Sequence, residues 1–150
     1  MIISLLSAFG VESGRTDFAI SSTVTLATIA TMKSVIADLQ AMYRYEFSKC
    51  GFGGDPGKEF VEFWRSDFGL AQNDFLDQLG ESLVSAFLSG LGDADFFGWA
   101  VNNLYGAWCQ SDTTTAPAKF DRIYLALDDV DWANDPDASL RKVMKDLGYA

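Results

Sequence analysis

Carboxylates are the only abundant reactive side chains in this sequence: 21 Asp and Glu stand beside 11 Lys and Arg, two Cys and no His. Their densest cluster is Asp128, Asp129, Asp131, Asp135 and Asp137. Oxygen-rich loops of this kind suit calcium. The calcium-loop pattern, however, needs acids or Asn at alternate positions, then Gly, then a late Glu. Ala133 breaks the alternation, and both the Gly and the Glu are missing. The cluster therefore reads as a charged loop between helices that also caps the last one, and no metal ligand is assigned.

Paired carboxylates can serve as general acid and base. Among 21 acids some pair always fits such a template, so the pattern singles out no residue. Nucleophilic catalysis by Cys50 or Cys109 lacks its usual partner, because no His is present to form a dyad. Lys49 beside Cys50 points elsewhere if both lie on a helix. The glycine-rich run CGFGGDPG at 50–57 lacks the order of a phosphate-binding loop. No catalytic residue and no cofactor follow, and the chain reads as a non-enzyme.

Charge excludes a further class. The formal net charge is −10, and the stretch 66–118 holds no Lys or Arg but seven acids, including Asp67 and Asp112. Nucleic-acid binding needs a cationic stripe to displace counterions, and none is present, so direct DNA or RNA binding is not expected. An acidic surface suits a protein partner with a basic surface, or serves solubility. Two groups of residues are candidates for contact. Asp74, Asp77 and Glu81 share one side of a helical projection, and Asp67, Asp93 and Asp95 would extend that negative surface. Trp99, Asn102, Asn103, Gly106 and Gln110 share a polar but uncharged side of the next helix. Interface centres are rich in Trp and poor in charge. The first face would steer a partner and the second would anchor it. Burial of the Trp99 face inside the fold is the competing expectation.

The elements that position these residues read as helices. Ile29, Met32, Ile36, Leu39, Tyr43, Phe47 and Cys50 recur at three- and four-residue spacing, which predicts a long central helix over about 23–50. Ser21 or Ser22 would cap it, and Gly51 would follow its end. Residues 18–26 alternate like a strand, so their state is left open. Ala27, Ala30, Ser34, Ala37, Ala41 and Ser48 form a second stripe of small residues, which predicts burial on two sides, with a dimer seam as the alternative. Asp55–Pro56 is a cap-then-proline signal for a short aromatic helix ending at Gly69. Asn73 is placed as the cap of a helix over about 74–90, and Asp93 or Asp95 as the cap of one over about 95–109.

The loop 111–118 leads to a helix over about 117–130, with a strand as the alternative. Asp135–Pro136 opens a final helix that ends at Gly148. Both thiols are expected to be buried and free in a reducing compartment. The apolar start MIISLLSAFG has no cationic region before it, and the apolar run 18–32 is shorter than the ~20 residues that span a bilayer.

The expectation is an all-α, single compact domain over 1–150, with roughly five to seven packed helices. Its expected setting is cytoplasmic, with no membrane partner. The function expected is a non-catalytic protein-binding module, such as a small acidic inhibitor or antagonist of a nucleic-acid-handling or toxin partner. Phage counter-defence and toxin-immunity proteins share that role, and the analogy is one of role alone. The alternatives are an assembly subunit that homo-oligomerises through the uncharged helix face, and a carboxylate-dependent enzyme or metal-dependent protein.

Overall fold

The computed structural model describes residues 32–45 and 57–150. Every regular element among them is helical: α1 (32–45), α2 (Lys58–Phe68), α3 (Gln72–Leu88), α4 (Ala94–Cys109), α5 (Ala118–Ala126), a 3₁₀ turn (Leu127–Asp129) and α6 (Pro136–Asp146). Residues 39–150 belong to one compact unit and 32–38 to another. The open question over 122–127 resolves as helix. Expectations for 1–31 and 46–56 lie outside the described residues. They include the state of 18–26, the ends of the long helix, the caps at Ser21, Ser22 and Asp55, and the thiol of Cys50.

Within α1 the apolar spacing holds, since Met32, Val35, Ile36 and Leu39 are buried. The described members of the small-residue stripe do not follow it: Ala37 and Ala41 are exposed and Ser34 is half-buried, while Ala27, Ala30 and Ser48 lie outside the described residues. Small side chains permit close approach by another helix but supply too little apolar area to compel it.

In the unit 39–150, α3 packs against α2, α4 and α5, and α4 also meets α5 and α6. The apolar face of α3, Phe75, Leu76, Leu79, Leu83, Ala86 and Phe87, recurs at helical spacing and is buried throughout, and Val84 joins it. Each of the Phe, Leu and Val side chains among them contributes about 1.5–3 kcal/mol on leaving water. The apolar face of α4 is buried at Phe97, Ala100, Val101 and Leu104, while Tyr105 and Trp108 are half-buried. Tyr105 lies flat on Tyr124 of α5, with ring centroids 3.7 Å apart and 3° between planes.

Two glycines inside helices mark close approaches. A Cβ on Gly80 would lie 2.9 Å from Cδ2 of Phe120 and 3.3 Å from Cδ1 of Ile123, so this glycine lets α5 settle onto α3. A Cβ on Gly98 would lie 2.8 Å from the Trp132 ring, which the 130–135 loop lays over α4. The indole Nε1 of Trp132 donates to the carbonyl of Leu127 at 3.2 Å, fixing that ring. Trp132 nevertheless remains 42% exposed, because only one of its faces meets the helix.

Helix ends are closed partly across the fold. Asp93 accepts from the Phe96 amide at 2.9 Å, so of the two cap candidates it is Asp93 that caps α4. Asp137 adds a second acceptor from another element, taking the Ala94 amide at 2.7 Å. Asp135 caps its own helix through the Ala138 amide at 3.1 Å, as the sequence predicts. At the other pole, Arg141 of α6 donates to the Leu88 carbonyl at the end of α3 and lies 5.1 Å from the centre of the Phe87 ring. A cation there meets the negative end of the helix dipole. Asn73 does not cap α3. The helix starts two residues before the expected 74, at Gln72, with Ala71 before it. Asn73 instead donates from Nδ2 to the Thr115 carbonyl at 2.7 Å, tying down the 111–117 loop. Asn73 Oδ1, the atom that would accept an amide in a cap, has no hydrogen-bond partner among the described residues.

Candidate functional site

The acidic candidates on α3 divide sharply. Asp74 is exposed in the first turn, where the dipole favours a carboxylate. Asp77, one turn on, points into the fold: its Oδ1 accepts from the amides of Lys119 at 3.0 Å and Phe120 at 2.9 Å. Those amides belong to the first turn of α5, whose preceding residue is Pro117, with no side-chain acceptor to offer. Asp77 is thus the cap of α5, supplied by a neighbouring helix. Glu81 is half-buried and engaged twice. Its Oε1 lies 3.3 Å from Lys119 Nζ, and its Oε2 accepts from the Tyr149 hydroxyl at 3.4 Å. Burial and the Glu81 charge push the Tyr149 phenol up from its ordinary value.

Asp67, expected to extend this surface, is half-buried, and its Oδ2 is enclosed without a hydrogen-bond partner among the described residues. Burial raises its pKa. It sits in the last turn of α2, the negative end of the helix dipole. Asp93 and Asp95 are exposed at the start of α4, Asp93 with one oxygen used as a cap. Of these acids Asp74, Asp93 and Asp95 are exposed, Asp74 at the start of α3 and the other two beyond its far end, and the three carboxylates expected on α3 do not form one free patch.

The uncharged side of α4 is positioned by helical spacing. Asp95, Trp99, Asn102, Gly106 and Gln110 succeed one another at three- and four-residue steps along one edge. Asn102 and Gln110 are exposed, and Gly106 is half-exposed with nothing within 4 Å of a Cβ placed on it. Asn103 turns inward along its own helix, donating from Nδ2 to the Trp99 carbonyl at 2.8 Å. Trp99 is half-buried. Its ring lies 5.3 Å from Tyr43 at a 62° tilt and 6.3 Å from the buried Phe96 at 27°, and Tyr43 meets Phe96 edge-on at 5.5 Å. Burial and exposure, posed as alternatives for Trp99, both hold: one part of the indole completes an aromatic cluster and another reaches solvent.

Among other candidates, Cys109 is exposed rather than buried. It ends α4 one residue beyond Trp108, on the turn that leaves the helix. In the 128–137 cluster, Asp131 accepts from Asn134 Nδ2 at 2.7 Å and from the Ala133 amide at 3.2 Å, and these bonds, the Asn134 side chain foremost, lower its pKa. With Asp135 and Asp137 used as caps, three of the five carboxylates there shape the loop and the helix starts. Among the described residues no three acids or thiols converge in a way that could hold a metal ion. A shallow depression of about 280 Å³ lies between the end of α3 and the chain terminus, lined by Val84, Ser85, Leu88, Ser89, Tyr149 and Ala150. It holds no cluster of titratable groups. No described helix is long and apolar enough to cross a membrane.

Sequence reasoning missed the inward roles of Asp77, Asp137 and Arg141, and the seat of Trp132 on Gly98. A glycine inside an apolar helix face does signal close backbone approach, and Gly80 and Gly98 carry that signal. Nothing in the sequence shows which ring fills each one. Comparison with protein-family profiles, with curated proteins and with solved structures finds no match for this chain.

Proposed function

We propose that this chain is a non-catalytic protein-binding module for a partner with a basic surface, contacted through the outer edge of α4. The observation that carries the reading is the exposed, uncharged line Asn102–Gly106–Gln110, with Trp99 half-exposed beside it and the open carboxylates Asp93 and Asp95 at its head. An outward helix edge ordinarily carries Lys and Glu. Here charge stands only at the end, where it steers encounter, while the middle holds no charge to desolvate and offers amide groups that can hydrogen-bond a partner. A net charge of −10 supports a role as an acidic inhibitor or antagonist, including of a protein that handles nucleic acid or of a toxin. The exposed free thiol of Cys109 suits a reducing compartment such as the cytoplasm.

A self-associating assembly subunit is the competing reading, favoured by the open approach at Gly106 and opposed by like charge between copies. Light scattering at micromolar concentration separates the two: a strict monomer removes the second. For the first, a partner isolated by pull-down is titrated calorimetrically against Gly106→Leu and Asp95→Lys at several salt concentrations. Gly106→Leu should weaken binding at least tenfold, and Asp95→Lys should flatten the salt dependence. Wild-type affinity and salt dependence in both variants would remove α4 as the contact.

A further inference from the structure

We draw no further inference here: the strongest candidate, the exposed aromatic pair Phe60 and Phe63 on the outer face of α2, carries nothing because nothing in the structure shows what covers it.

Discussion

Asp77 offers the sharpest test, because the same carboxylate reads as a surface charge in the sequence and as an internal cap in the fold. Asp77→Ala deletes the acceptor for two amides at the start of α5, those of Lys119 and Phe120. Loss of a helix cap costs about 1 kcal/mol, and loss of a carboxylate from the positive end of a dipole about 0.3–1 kcal/mol. The Phe120 amide is partly buried, so it cannot fully exchange its lost acceptor for water, which moves the sum toward about 2 kcal/mol. At this chain length that is a fall of roughly 4–8 °C in Tm. Asp74→Ala is the internal control. It lies on the same helix, is exposed and accepts no bond across the fold, so its cost should stay at about 0.3–1 kcal/mol. Urea unfolding followed by tryptophan fluorescence at neutral pH measures both. Asp77→Asn retains an acceptor oxygen and should fall between them. If Asp77→Ala costs no more than Asp74→Ala, the cap across helices contributes nothing to stability and the reasoning fails.

Other outcomes follow from the same contacts. Gly80→Ala gains helix propensity of up to ~1 kcal/mol but drives a methyl into the buried Phe120 ring, so a net loss of about 1–2 kcal/mol is expected. Gly106→Ala meets open space and should stabilise by about 0.5–1 kcal/mol; equal signs in the two variants by thermal unfolding would contradict the packing at Gly80. The raised pKa of Asp67 means that its contribution to stability is fully present below the ordinary aspartate value of 3.8 and is lost as pH rises through the higher folded value. Asp67→Asn should therefore be more stable than wild type at pH 7, with the difference closing in acid; a gap that widens in acid would reverse the assignment. Trp99→Ala should lower stability by about 1–3 kcal/mol through loss of the Tyr43 and Phe96 contacts, an intermediate cost suited to a half-buried ring. A shift under 0.3 kcal/mol in the same urea assay would place the ring outside the cluster.

Much of the helical pattern was legible because it is local. The apolar faces of α3 and α4 come from spacing alone, and some helix ends follow from residues within one turn of them. Gly90 and Gly148 stand at positive φ, 89° and 104°, where other residues are strained, and α3 and α6 stop beside them. Asp93 and Asp135 are caps for the same local reason. The candidate site was less legible. A helical projection assigns Asp74, Asp77 and Glu81 to one side but cannot tell which part of that side faces another helix. Asn73 shows the same limit, since its amide nitrogen donates to a carbonyl 42 positions away while its oxygen caps no helix.

By itself, then, the sequence determined the helical class, the acidic balance, the absence of histidine chemistry and the glycine stops beside α2, α3 and α6. These depend on composition and on neighbours within a turn or two. Tertiary structure decided which charges are free. Asp77, Glu81, Asp137 and Arg141 lie on polar faces, yet each closes a bond to a residue more than 35 positions away. Packing brings backbone amides and carbonyls at helix ends beside Asp77, Asp137 and Arg141, and the Lys119 ammonium beside Glu81. A partly desolvated backbone group binds the nearest charge that can reach it.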